Sequence, residues 1–220
     1  MLYKKADFVT RLSKELLSRN IFHKVERNVI FTRRSKVSIP SFNKDISYLL
    51  GVIAGDGSLT LAKRKRGGFH YLFRIYSGDR SHLDYFNKLL KVSFGVEGIV
   101  SKDKRKKNAY FLTIQNSGIF FYFYLLGSEI GKKKRGVLPA IVKVNKANFL
   151  HFLSGLTDTD GHVKRNRIQL KQKSKKLLKE IHFLTNRFNL NCNTPKVNYT
   201  NNIPFYYIRF DNNIPLRLKK

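Results

Sequence analysis

Two ten-residue segments of this chain resemble each other. Tyr48-Leu-Leu-Gly-Val-Ile-Ala-Gly-Asp-Gly57 returns as Phe152-Leu-Ser-Gly-Leu-Thr-Asp-Thr-Asp-Gly161, and Gly51/Gly155, Asp56/Asp160 and Gly57/Gly161 all keep an offset of 104 residues. In 220 residues such a repeat means two similar units in tandem. Each copy reads as a short apolar helix ending at glycine, a residue that tolerates the left-handed conformation after a helix.

The segments downstream of the two copies match as well. After Gly57, residues 58–63 and 69–77 read as strands joined by a basic turn at 64–68. A helix over 80–92 carries Leu83, Phe86, Leu89 and Leu90 at helical spacing, then strands at 98–102 and 109–115 flank a basic loop, and an aromatic helix spans 119–126. After Gly161 come strands at 162–164 and 167–171, a helix over 174–188, and strands at 195–199 and 205–210, with little room for a closing helix. The pattern predicts an α+β fold, within the broad α/β class, of two pseudo-symmetric α-β-β-α-β-β-(α) halves. The expected divisions are 1–44 as a basic N-terminal extension, 45–130 and 146–220 as the halves, and 131–145 as linker. Within the extension, 6–18 predicts a helix and 29–33 a strand, with no role that the sequence assigns.

Placing Asp56 and Asp160 at helix C-termini sets two carboxylates against the negative ends of two helix dipoles, at about 0.3–1 kcal/mol each. Packing those helices together adds like-charge repulsion. In a chain with only 14 acids this placement makes sense if a cation fills the gap, and a hard ion such as Mg²⁺ suits oxygen ligands, water and phosphate. Gly51 and Gly155 would let the two helices approach closely. The plainer reading, that each Asp-Gly is only a turn, fits one isolated copy better than two at equivalent positions. Asp158, whose counterpart is Ala54, reads as solvated or capping.

Residues 49–57 and 153–161 resemble the two nine-residue signatures of the LAGLIDADG homing endonucleases, in the two-motif, monomeric arrangement. The resemblance implies signature helices packed at the interface of two halves and a saddle of two antiparallel sheets over double-stranded DNA. It also implies both strands cut in a long site, with two or three divalent ions, Mg²⁺ in the cell, at the junction. It places Asp56 and Asp160 as metal-binding catalytic acids, counts the preceding Gly55 and Thr159 with the metal site, and makes Gly51 and Gly155 the helix-interface residues. Lys133 resembles a lysine delivered to the edge of such a site, with plain phosphate binding by residues 132–135 an equal alternative. Gln172 and Lys173 resemble a polar pair near the metals. The corresponding Ser77-Gly78 lacks that chemistry, so the halves need not be equal.

The charge supports a nucleic-acid partner. Lys and Arg number 44, for a formal net charge of +30, and a polyanion relieves that self-repulsion. Arg74 and His70 on one strand, and Arg167, Gln169 and Lys171 on another, alternate with apolar residues and are candidates for base or phosphate contact, with Arg209. Lys63, Arg64, Arg66, Lys102, Lys104 and Arg105 sit in basic turns suited to gripping phosphate. An ordinary solvated strand face is the plain alternative.

Other classes fare worse. With 42% hydrophobic residues the chain can bury a core. The most apolar run, 119–126, is too short to span a bilayer, and nothing pairs an amphipathic basic helix with a lipid anchor, which speaks against a membrane-surface role. Residues 1–20 lack a secretory pattern, and Asp7 and Glu15 argue against a transit peptide. Cys192 is the only cysteine, which fits a reducing interior, a prokaryotic cytoplasm or an organelle matrix. The six histidines show no metal-ligand spacing. Met1 and the terminal Arg-Leu-Lys-Lys220 lack intein splice residues. The alternatives that remain are an RNA-binding maturase with its own intron RNA as partner, a ribosomal-type RNA binder, and a non-cleaving DNA-binding regulator.

Overall fold

A computed structural model describes residues 5–21, 23–32, 35–104, 109–131, 136–164 and 167–211. The chain forms two compact units: Met1–Ile46 with Gly57–Gly131, and Ser47–Asp56 with Lys132–Lys220.

The first unit opens with α1 (Lys5–Ser18), whose Phe8, Val9, Leu12 and Leu16 form one buried stripe. An antiparallel three-stranded meander comes next, β1 (His23–Glu26), β2 (Val29–Thr32) and β3 (Lys36–Ser38). The helix α2 (Lys44–Gly55) then passes into the second unit at Ser47. The chain returns as β4 (Gly57–Lys63), β5 (Phe69–Ser77), α3 (Arg80–Phe94), β6 (Ile99–Lys102), β7 (Tyr110–Gln115) and α4 (Ser117–Leu125). The four strands form one antiparallel sheet in the order β4-β5-β7-β6. Its inner face, with Leu59, Phe73, Ile75, Leu112 and Ile114, is buried. Phe73 stacks on Phe123 of α4, and Phe8 of α1 meets Tyr122 edge-on. The extension is therefore a packed part of the first unit's core, through α1 on α4. Asp79 starts α3 by accepting from the Ser81 N–H, and Gly95 ends it at φ 69°.

In the second unit a 3₁₀ turn (Ala140–Lys143) leads into α5 (Lys146–Asp160), β8 (Gly161–Lys164), β9 (Arg167–Gln172), α6 (Lys175–Arg187), β10 (Lys196–Thr200) and β11 (Ile203–Asp211). The sheet is again four-stranded and antiparallel, β10-β11-β9-β8. Numbered from the strand after each signature helix, both sheets run first, second, fourth, third, as the repeat requires. Ile168, Leu170, Ile208 and Phe210 bury one face under α6, which contributes Leu177, Leu178, Ile181 and Leu184.

One local expectation is corrected. Neither signature glycine is left-handed: Gly161 has φ −88° and ψ 153°, and Gly57 already lies in β4. Gly161 is needed for space, since a Cβ there would lie 2.3 Å from Thr157 O as the strand doubles back over the last helical turn. Any closing helix after the second copy would begin beyond Asp211 and lies outside the described residues.

Candidate functional site

Within the second unit, α2 from Ser47 and α5 pack with a reciprocity that mirrors the repeat. A Cβ on Gly51 would stand 2.0 Å from Phe152 O and 2.7 Å from Leu156 N. A Cβ on Gly155 would stand 2.1 Å from Tyr48 O and 3.0 Å from Val52 N. These contacts exchange under the 104-residue offset, so the helices cross about a local two-fold axis, backbone on backbone.

Two side-chain bonds tie the crossing. The Ser47 hydroxyl donates to Asn148 O at 2.6 Å, and Tyr48 Oη donates to Asp158 Oδ2 at 2.6 Å. The second bond corrects the reading of Asp158 as solvated or capping. Tyr48 is buried, its repeat equivalent is Phe152, and Asp158 has Ala54 as counterpart, so the bond exists in one copy only.

Beyond the crossing the helix ends come together. A Cβ on Gly55 would lie 1.9 Å from Thr159 Oγ1 and 3.0 Å from Asp160 Oδ2. The Asp160 carboxylate thus abuts the backbone just before Asp56. Both acids are half-buried. Thr159 turns its hydroxyl back to Gly155 O and Leu156 O. Gln172, at the end of β9, donates from Nε2 to Asp160 Oδ2 at 2.5 Å. Asp56, Asp160, Gln172, Lys171 and Lys173 line one open cleft of about 890 Å³, closed by the β10–β11 turn at Asn201 and by Phe205. Lys171 lies over the Phe205 ring at 3.6 Å. Gly136 also lines the cleft; Lys133, three residues before it, lies outside the described residues.

Residues 43–124 and 149–212 match the LAGLIDADG-like domain. The chain belongs to the LAGLIDADG family. An uncharacterized protein of Methanocaldococcus jannaschii is 26% identical to this LAGLIDADG chain over 78% of its length, and the match spans 64% of that protein. Among solved structures, mesophilic variants of the homing endonuclease I-DmoI superpose with a TM-score of 0.59 at 18% identity, covering 76% of this chain and 84% of theirs. I-DmoI in complex with DNA and manganese gives 0.59 at 19% identity, with 76% and 89% covered. Likeness at this identity shows a shared fold.

The oxygen-rich floor of the cleft fits a hard cation. Two carboxylates sit where helix dipoles disfavour them, and two lysines stand in the same cleft. Among the described residues no group of three or more His, Cys, Asp or Glu is placed to hold a metal. An ion here would therefore complete its shell from backbone, water and phosphate oxygens.

The remaining candidate residues fall into separate places. In the second unit Arg167, Gln169 and Lys171 share the outer face of β9, and Arg209 of β11 donates from Nε to Gln169 Oε1 at 3.1 Å. In the first unit His70 and Arg74 share the outer face of β5. His70 pairs with Gln115, and Arg74 lies opposite Thr113 with its guanidinium over Phe111. Lys63, Arg64 and Arg66 lie at or beside the turn between β4 and β5, where Gly67 and Gly68 have positive φ. Lys102 and Lys104 stand at the opposite end of that sheet, and Arg105 lies outside the described residues. Sequence reasoning missed Gln115 and Thr113, although both alternate outward on β7. It also missed Lys196 and Tyr207, which the second sheet's register places beside each other.

Proposed function

We propose that this LAGLIDADG protein is a site-specific homing endonuclease that hydrolyses one phosphodiester in each strand of a long DNA target, using divalent metal ions, Mg²⁺ in the cell. The observation that carries this reading is the pair of helix ends that bring Asp56 and Asp160 into one cleft with Gln172, Lys171 and Lys173. The I-DmoI structures in complex with DNA, with manganese, magnesium or calcium, support the same use of the shared fold.

In this reading Asp56 and Asp160 hold the metal, with the adjoining backbone at Gly55 and Thr159 completing the site. When bound, the metal supplies Lewis acidity toward the phosphate and lowers the pKa of an attacking water. Gln172 holds the Asp160 carboxylate in place through Oδ2. Lys171 and Lys173 offset phosphate charge at the cleft wall. The face carrying Arg167, Gln169 and Arg209 lies along the duplex, with arginine and glutamine suited to guanine and adenine edges. We take the enzyme to act as a monomer, to be carried by an intron whose mobility it drives, and to work in a reducing compartment.

Cleavage selection on a randomised duplex library with Mg²⁺ tests the reading. One long site should be recovered with both strands cut, and EDTA should stop the reaction. Recovery of bound but uncut duplex in every divalent metal tried would instead make this a non-cleaving DNA-binding protein or an RNA-binding maturase of the same fold.

A further inference from the structure

The sheet β1-β2-β3 precedes the matched region, which begins at residue 43, so its surface is not shared with the LAGLIDADG-like domain. Strand pairing gives this sheet two unlike faces. On the inner face Ile30 and Val37 are fully buried, and His23 Nε2 meets the Ser13 hydroxyl of α1 at 2.7 Å. On the outer face Lys24, Glu26, Lys36 and Ser38 are all exposed. Register sets Phe31 in the middle of that face, opposite Lys24 on one side and Lys36 on the other. Neighbouring strands lie about 5 Å apart, so the half-buried ring has a lysine on each flank. The Lys36 ammonium stands 5.7 Å from the ring centroid. Arg27 adds a cation at the β1–β2 turn, at φ 53°, a region that hairpin turns usually give to glycine or asparagine. Glu26 is the one acid among the described residues of this face. It pairs with Lys24 between exposed side chains, a contact that contributes little.

We propose that this face is a stacking platform for single-stranded nucleic acid, in which one unpaired base lies on Phe31 and the phosphates beside it meet Lys36, Arg27 and Lys24. An aromatic ring on a sheet offers a π-face that any base accepts, and flanking cations hold the backbone. A duplex keeps its bases stacked on one another and would use only the cations, leaving the ring idle. An acidic peptide would do the same. The platform uses neither the cleft at Asp56 and Asp160 nor the outer faces of the two four-stranded sheets, and it stands whether or not the protein cuts DNA. It gives the extension a partner other than the target duplex, either a transcript or an opened DNA strand.

Fluorescence anisotropy with labelled oligouridylate and oligothymidylate of about 12 nucleotides tests the platform. The full chain is used in EDTA, which bars cutting, with excess unlabelled mixed-sequence duplex to occupy the duplex-binding surfaces. The single strands should remain bound. Phe31→Leu should bind the tighter of the two about tenfold more weakly, the loss of one stacked base, while Phe31→Tyr stays within about twofold of wild type. Lys36→Gln, a change at an exposed position, should lower the slope of log affinity against log salt by about 0.7, one phosphate contact on a single strand. Neither Phe31→Leu nor Lys36→Gln should change duplex affinity by more than about twofold. Tighter binding of oligouridylate marks a transcript as the source and tighter binding of oligothymidylate an opened strand; both results keep the platform. Equal affinity of wild type and folded Phe31→Leu for both oligonucleotides overturns it. So does an unchanged salt slope in Lys36→Gln, which decides the matter if Phe31→Leu fails to fold. Complete displacement by the duplex assigns the single strand to the duplex-binding surfaces and also overturns the platform.

Discussion

Gly51 and Gly155 set the distance at which two peptide backbones pass, and no rotamer change can relieve a methyl group placed there, because the facing atoms are main-chain oxygens. Gly51→Ala and Gly155→Ala should each destabilise the protein by about 1–3 kcal/mol, the usual cost of overpacking, read from the midpoint of urea unfolding. The two values should be similar, since the contacts exchange under the repeat. Tyr48→Phe removes one of the two side-chain ties of the crossing and takes that donor from Asp158; a loss of about 1.5–3 kcal/mol is expected from the same measurement. Cys192 gives a pH signature. Burial raises its pKa above the ordinary value of 9.0, with the Thr185 hydrogen bond opposing. A folded thiol that holds its proton more tightly than the unfolded one costs stability as pH rises from about 9 toward the folded pKa, and nothing below. At pH 9 alkylation should accordingly be slower in the folded protein than in urea. Equal rates would place the thiol outside the fold.

Among the elements, α4 depends most on its cap. Six of its first seven residues, Gly118 to Phe123, are buried, which keeps water from most of its first turns, and Asn116 Oδ1 accepts from the Ile119 N–H at 3.1 Å. Asn116→Ala should lower stability by about 1–2 kcal/mol in thermal or urea unfolding. Elements whose burial keeps one period were legible in the sequence: α3 and α6 show it in Leu83, Phe86 and Leu90, and in Leu177, Ile181 and Leu184. The short strands β1 and β3 were not, because His23–Glu26 and Lys36–Ser38 bury little and owe their conformation to pairing with β2. β11 begins at Ile203, two residues before the strand expected at 205–210. The two-residue turn Asn201-Asn202, at φ 49° and 61°, closes the hairpin so tightly that proline falls at the second ladder position. The twin acids of the cleft were legible from the repeat. The Tyr48–Asp158 tie was not, since it joins residues brought together only by the helix crossing.

For the whole molecule the formal charge of +30 is the dominant long-range fact. If DNA occupies the outer faces of the sheets, about six to ten phosphates are neutralised, and affinity should fall about 10³–10⁵-fold between 50 and 200 mM salt. A fall of less than tenfold would mean that the charge serves another purpose. The extension, packed on α4 through α1, adds to this charge but lies outside the matched region, which begins at residue 43. Cleavage of supercoiled plasmid bearing the selected site, with wild type, Asp56→Asn and Asp160→Asn compared in Mg²⁺, tests most directly whether the two helix-end carboxylates form one metal-dependent centre. Wild type should yield linear DNA, and each variant should produce linear DNA at least about a thousandfold more slowly while still binding the duplex. Linear product at near wild-type rate from either variant would contradict that assignment.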